Sequence, residues 1–199
     1  MHQFIPPNRI LILASGNGTN AEALIRFFES HKLARICGVL CNRPNAGVLE
    51  RAWRLGTDAW LFSKGRSQLA ENWADVLQAF NPDWIVLAGW LQLIPHAVID
   101  RYPERIVNLH PSLLPFYGGK GMYGLRVHEA VLAANESVSG LTIHYVSPEY
   151  DEGRIIYQEA VEISPHWSAL DLQEAIHQVE HRVYPRVIEQ LILDSVQSV

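Results

Sequence analysis

Cysteine is scarce: Cys37 and Cys41 are the only two in 199 residues. They share one apolar run and lack the further ligands of a zinc site, so neither a disulfide framework nor a structural zinc is expected of them. Both are read as reduced, buried and structural. A basic excess is also missing. The 16 lysines and arginines face 21 aspartates and glutamates, a net charge of −5, which leaves no footprint for a nucleic-acid backbone. No stretch is apolar for the length of a membrane span, and residues 1–8 lack the charged-then-apolar order of a signal peptide. The expectation is a cytoplasmic protein with small-molecule partners, no nucleic acid and no membrane, as a monomer or homodimer. Repeats, low-complexity tracts and linker-like segments are absent as well, so one domain is expected over residues 1–199. Nucleophile signatures fail too: there is no Gly-x-Ser-x-Gly elbow, and neither cysteine neighbours a histidine. Any group transfer is therefore expected to be direct, without a covalent enzyme intermediate.

What is present is an ordinary globular composition, 48% hydrophobic and 19% charged, arranged in alternating apolar runs and amphipathic stretches. Residues 10–14 form a continuous apolar run, the mark of a strand covered on both faces. A glycine-rich turn follows at 15–19, then a helical stretch in which Leu24, Phe27 and Phe28 share one face. The rhythm returns as strand 36–41 and helix 48–55, strand 59–62 and helix 67–80, strand 84–89 and strand 106–110. Helix 127–134 comes next, then a closing strand pair, 141–146 and 155–161, expected antiparallel at one edge. The last element is a long helix over 169–193, expected to be interrupted near Pro185. The predicted class is α/β: a single domain built on a mostly parallel, doubly wound sheet with helices on both faces and an antiparallel edge. Between 116 and 124 the chain carries Gly118, Gly119, Gly121 and Gly124 and reads as a loop.

Chemistry concentrates where the run Ile106-Val107-Asn108-Leu109-His110 breaks into Pro111-Ser112-Leu113-Leu114-Pro115. Residues i and i+2 of a strand face the same side, so Asn108 and His110 project together from the strand's end. An amide donor and a histidine there suit the oxyanion of acyl or formyl transfer. Taken alone, the pair also suits a strand-end turn residue beside a core histidine. Ser15-Gly16-Asn17-Gly18-Thr19-Asn20 would let backbone amides meet a phosphate at a helix N-terminus. It is not a dinucleotide fingerprint, because Ala21 stands where that motif would open its close helix packing and Asn42, not an acid, follows the second strand. Asp151, in the turn Pro148-Glu149-Tyr150-Asp151-Glu152-Gly153, is the carboxylate chosen to pair with His110 and favour its charged form. An Asx turn capping its own backbone is the alternative. His177-Gln178-Val179-Glu180-His181 matches an inverted zinc-protease string with no other metalloprotease feature around it, and chance is the preferred explanation.

Three separated segments, residues 15–20, 108–115 and 151–153, resemble the phosphoribosylglycinamide formyltransferase family when taken in order. Ala88-Gly89-Trp90-Leu91 and Glu180-His181-Arg182-Val183-Tyr184-Pro185 extend the likeness, which runs from about residue 10 to about residue 192. The resemblance implies a Rossmann-like fold whose half 1–100 binds the ribonucleotide phosphate and whose half 101–199 binds folate and carries the catalytic residues. It places the family's catalytic triad on Asn108, His110 and Asp151, its phosphate loop on Gly18, Thr19 and Asn20, and a ribonucleotide contact on Glu180. Folate would be held by Leu91, Gln92, Leu93, Ile94 and Asn108, with Ser147, Pro148, Glu149, Tyr150 and Asp151. The implied reaction is formyl transfer from 10-formyltetrahydrofolate, the co-substrate, to the amine of 5'-phosphoribosylglycinamide in purine synthesis. Asn108 and a His110 imidazolium would hold the oxyanion, Asp151 would keep that histidine charged, and no metal takes part. Two departures stand out. Phe116 occupies a position where the family often has lysine, and the longer stretch after it offers Lys120 as a phosphate-facing cation; Lys64 or Arg66 is the expected contact to the folate tail. Methionyl-tRNA formyltransferase and formyltetrahydrofolate hydrolase share the domain, but their additional domains are not expected within 199 residues. A binding module that moves no formyl group is the alternative from another class.

Overall fold

β1 (Asn8–Ala14) explains the architecture in miniature. Ile10, Ile12 and Ala14 join one core while Leu11 and Leu13 join the other. Both faces are covered, so the strand shows no polar alternation. The computed structural model describes residues 7–67 and 69–197, the side chains of Lys64 and Arg66 excepted. The expected folate-tail contact to Lys64 or Arg66 thus lies outside the described residues.

After β1 come α1 (Thr19–Phe28), β2 (Ala34–Cys41), α2 (Gly47–Arg54), β3 (Ala59–Leu61), α3 (Lys64–Ser67), α4 (Glu71–Phe80), β4 (Trp84–Leu87), α5 (His96–Arg101) and β5 (Ile106–His110). The chain ends with α6 (Leu125–Ala133), β6 (Val138–Tyr145), β7 (Ile155–Glu162) and α7 (Ala169–Gln197). One seven-stranded sheet orders them β3-β2-β1-β4-β5-β6-β7. The first five strands are parallel, while β5, β6 and β7 pair antiparallel, as the alternating closing runs predict. Helices α1 and α7 pack on one face with Leu24, Phe28, Tyr184 and Ile188; α4 and α5 cover the other with Trp73, Leu77, Phe80 and Val98. The strand order reverses between β1 and β4, and in such sheets ligands collect beyond the carboxyl ends at that point. Ser15, just past β1, is tied to the chain just past β4: its N–H donates to the Gly89 carbonyl at 3.0 Å, and its Oγ accepts the Leu91 N–H at 3.1 Å.

Three elements differ from the sequence reading. The helix expected over 67–80 starts only at Glu71, and a separate short helix, α3, ends at Ser67, whose carbonyl accepts the buried Trp73 indole N–H at 2.9 Å. The six-residue α5 was not anticipated, being too short to show a period. Nor is the last helix interrupted: α7 runs straight through Pro185. A proline forfeits the bond to the carbonyl four residues back. Here the flanking turns are clamped by burial of Val183, Tyr184, Ile188 and Ile192, and the Tyr184 hydroxyl donates toward the Leu87 and Val107 carbonyls at 2.9 and 3.2 Å.

Candidate active site

Beyond the carboxyl ends of β1, β4 and β5 opens a cavity of about 410 Å³ walled by Asn20, Asn108, His110, Asp151 and Glu180. Each wall residue arrives by a different route. Asn108 and His110 come two apart on β5. Asn108 stands opposite His144 in the β5–β6 register, and that pairing orients its amide. The His144 Nδ1 lies 2.9 Å from the Tyr145 carbonyl, which can only accept, so Nδ1 carries the hydrogen and Nε2 is left as an acceptor. The Asn108 Nδ2 donates to that Nε2 at 3.0 Å and reaches the Asp151 Oδ1 at 3.4 Å.

Asp151 sits in the turn between β6 and β7 with φ +58°. It does not cap its own turn. Its Oδ2 accepts the Gly119 N–H at 2.9 Å and stands 3.4 Å from the His110 Nδ1, while its Oδ1 lies 3.7 Å from the His144 Nε2. The turn closes tightly enough that a Cβ at Gly153 would fall 1.6 Å from the Tyr145 carbonyl oxygen, so only glycine fits. Side-chain bonds pin the chain after β5: the Thr142 Oγ1 donates to the Ser112 carbonyl at 2.7 Å and accepts the Leu114 N–H at 2.9 Å.

His110 is 4% exposed, and its Nε2 lies 2.8 Å from the Tyr117 carbonyl. A carbonyl accepts only, so Nε2 carries a hydrogen, and Nδ1 faces the carboxylate with its lone pair whenever the ring is neutral. The expectation that Asp151 keeps His110 charged is not met. Burial pulls the histidine below its ordinary value, outweighing the upward pull of the Asp151 charge and the Tyr117 carbonyl, and His144 adds to the fall. Asp151 moves the other way from what burial dictates. Desolvation pushes its carboxyl up, but the nearby His144 ring, the charge of His110 and the Gly119 N–H together hold it below the usual range. Near neutral pH the pair is thus a carboxylate beside a mostly neutral imidazole. Protonating Nδ1 would turn the 3.4 Å contact into a charge-assisted hydrogen bond.

Glu180 faces the same cavity from α7. It is 2% exposed and accepts the Asn20 Nδ2 hydrogen at 2.7 Å. Burial raises its carboxyl to about 7, only partly countered by that bond. His177 Nε2 stands 4.0 Å from Glu180, and the His177 and His181 rings stack with centroids 6.0 Å apart. Among the described residues no group of three or more His, Cys, Asp or Glu side chains is arranged to hold a metal ion. Of the glycine-rich turn, Asn20 reaches the cavity wall and Gly18 and Thr19 do not. Gly18 has φ +82° as the cap of α1, and a Cβ on it would lie 2.5 Å from Val48, so packing alone requires that glycine.

Behind the Asn108 amide a cleft of about 50 Å³ is lined by Gln92, Leu93, Ile94, Ser147, Glu149 and Tyr150, with Trp90 and His144. It abuts a larger recess of about 480 Å³, where Leu91 and Pro148 join Asn42, Arg43 and His96. All the residues expected around the folate therefore border one of two adjoining hollows. Sequence reasoning missed His144, Tyr117, Trp90 and Arg126. Only His144 had a readable signal, its place opposite Asn108 once the two strands are paired.

The formyl transferase family profile matches residues 8–188. Phosphoribosylglycinamide formyltransferase of Bacillus subtilis (strain 168) is 33% identical over 92% of this chain and 94% of its own length. The chloroplastic phosphoribosylglycinamide formyltransferase of Arabidopsis thaliana is 33% identical over 90% of the chain, which spans 64% of that longer relative. Among solved structures, phosphoribosylglycinamide formyltransferase from Bacillus halodurans superposes with a TM-score of 0.83 at 35% identity, covering 93% of this chain and 95% of that one. Profile, relatives and fold agree, and the chain belongs to the formyl transferase family.

Proposed function

We propose that the protein transfers the formyl group of 10-formyltetrahydrofolate to the amine of 5'-phosphoribosylglycinamide, yielding the N-formyl ribonucleotide and tetrahydrofolate for purine synthesis. The observation that carries this reading is the meeting of Asn108, His110 and Asp151 on one cavity wall, beside the cleft lined by Gln92 to Ile94 and Tyr150. Its lining mixes apolar Trp90, Leu93 and Ile94 with hydrogen-bonding Gln92, Asn108 and Glu149, which suits a heterocycle with polar edges, and the adjoining recess gives room for the remainder of a folate. Family membership supports the same chemistry.

In this mechanism the substrate amine attacks the formyl carbon while the bond from that carbon to the folate nitrogen breaks. The proton lost by the amine ends on the folate nitrogen, passed through His110 or a water. Asn108 donates to the oxygen as it gains charge. Its 3.4 Å contact to Asp151 is the weaker of its two, so that hydrogen is the one turned to substrate. His110 takes up a proton at Nδ1, the nitrogen not committed to Tyr117, and Asp151 stabilises the resulting charge. Holding both reactants on one wall supplies much of the rate. Gly18, Thr19 and Asn20 with the N-terminus of α1 receive the ribonucleotide, and Glu180 contacts it. Leu91, Gln92, Leu93, Ile94, Ser147, Pro148, Glu149 and Tyr150 surround the folate.

The test is spectroscopic detection of tetrahydrofolate with and without phosphoribosylglycinamide. Release that depends on the amine supports transfer. Release without it makes the protein a hydrolase, and none at all makes it a binding module.

A further inference from the structure

We propose that Ser15 is a positioning residue whose hydroxyl ties the glycine-rich turn to the segment after β4, so that a ligand ordering one of them also braces the other; this rests on the ribonucleotide and folate readings above. Ser15 stands where the strand order reverses. Backbone pairing between β1 and β4 runs past the strand ends there. The Ala88 N–H donates to the Leu13 carbonyl at 2.8 Å and the Ser15 N–H to the Gly89 carbonyl at 3.0 Å. Gly89 then turns the chain aside with φ +80°. Past that turn the Leu91 N–H is taken by the Ser15 Oγ at 3.1 Å, a side chain in place of a backbone carbonyl. Ser15 is 1% exposed, so an alanine there would leave the Leu91 amide short of an acceptor that water does not readily replace.

Both ends of this tie belong to walls that face ligand. Gly89, Trp90 and Leu91 border the 410 Å³ cavity, while Trp90 also lines the 50 Å³ cleft and Leu91 the 480 Å³ recess. Ser15 borders none of the three, so it acts through Leu91 and not on a substrate. The turn on its other side is braced from α2. The Arg51 Nε donates to the Asn17 carbonyl at 2.9 Å, its Nη2 reaches the Asn17 Oδ1 at 3.3 Å, and the Val48 N–H donates to the Gly16 carbonyl at 3.2 Å. At the far end of the turn Asn20 is bonded to Glu180 at 2.7 Å. A turn held at these points transmits its order through the Ser15 hydroxyl to Leu91, and the two binding sites share one ordering cost. The amine and the formyl carbon must also meet across this junction, where a misplacement of about 1 Å costs up to about 10²-fold in rate.

Residue-resolved amide hydrogen exchange on the full chain tests this apart from formyl transfer. Residues 92–94 border the cleft and the recess but not the cavity, so phosphoribosylglycinamide alone should slow their exchange only through the tie. Tetrahydrofolate alone should slow exchange at residues 16–19 in return, since coupling between two sites is reciprocal. Ser15→Ala should abolish both carried effects while each ligand still protects its own wall, and Ser15→Thr, which keeps the hydroxyl, should restore them. In the transfer assay Ser15→Ala should lower kcat at least about tenfold with both KM values within about twofold. Equal carried protection in the unaltered and alanine proteins, or none in the unaltered protein, overturns the role of Ser15, as does a kcat unchanged by the alanine. Carried protection that needs Ser15 in a protein that transfers no formyl group would instead remove the catalytic reading and keep the tie.

Discussion

Asn108 is where the geometry makes its sharpest demand at the residue scale. Its amide hydrogens face His144 at 3.0 Å and Asp151 at 3.4 Å, so only the looser one is free to follow a developing charge. Asn108→Ala should cut kcat by about 10²-fold or more if the amide acts as an oxyanion donor, while calorimetry shows ribose 5-phosphate affinity little changed. Near-normal turnover would remove the amide from the mechanism. The protonation of His110 supplies a second measurement. Its pKa lies below the ordinary value, through burial against the pull of Asp151, so activity that needs the neutral ring as proton acceptor is present above that pKa and lost as pH falls through it. Asp151→Asn removes an upward pull and should carry this limb of the kcat/KM profile to lower pH. A limb that stays in place would make the carboxylate purely structural. Type and i, i+2 spacing suggested Asn108 and His110, while the choice of Asp151 over an Asx cap came from the family resemblance. Their protonation was not readable, since it depends on how much water reaches His110, and no local pattern encodes that.

At the scale of elements, the turn joining β6 to β7 decides where Asp151 sits. Its tightest point is Gly153, where any Cβ would collide with the Tyr145 carbonyl. Gly153→Ala should therefore destabilise the fold by about 1–3 kcal/mol, the usual cost of overpacking, and lower kcat more than it raises either KM. Urea unfolding and the transfer assay read the two effects separately. The strands of the parallel region were legible because runs such as Ile10 to Ala14 are buried on both faces. Helix ends were less so. The break after Ser67 coincides with a bond from its carbonyl to an indole six residues away, and α7 continues through Pro185 where Tyr184 reaches two carbonyls of the central strands. Local propensity cannot weigh such tertiary contacts.

On the scale of the molecule, Glu180 shows the sheet and helices trading stability for a site. Packing α7 against α1 buries the carboxyl with Asn20 as its hydrogen-bond partner and raises it to about 7 from 4.5. A raised carboxyl contributes most below its unfolded value. Its contribution is lost as pH climbs from 4.5 to about 7. Glu180→Gln should abolish this decline and leave the variant more stable at pH 8 by up to roughly 3 kcal/mol, with weaker ribonucleotide binding. Denaturant titrations from pH 5 to 8 check it, and parallel curves for the two proteins would show that the carboxyl ionises freely in the fold. His128 works in the opposite sense. Lowered to about 4 by burial, it costs stability only as pH falls from 6.5 toward that value, so it leaves the comparison above pH 7 untouched.

The amino-acid order alone determined the layered α/β plan, the antiparallel edge, and the amide, imidazole and carboxylate at the ends of their segments. Those properties follow from period, turn chemistry and residue type, which act over a few neighbours along the chain. Only the folded molecule decided that His144 orients Asn108 and that burial outweighs Asp151 at His110. Desolvation and Coulomb energy depend on distances through space between segments far apart in the chain, and those distances exist only once the sheet has closed its order.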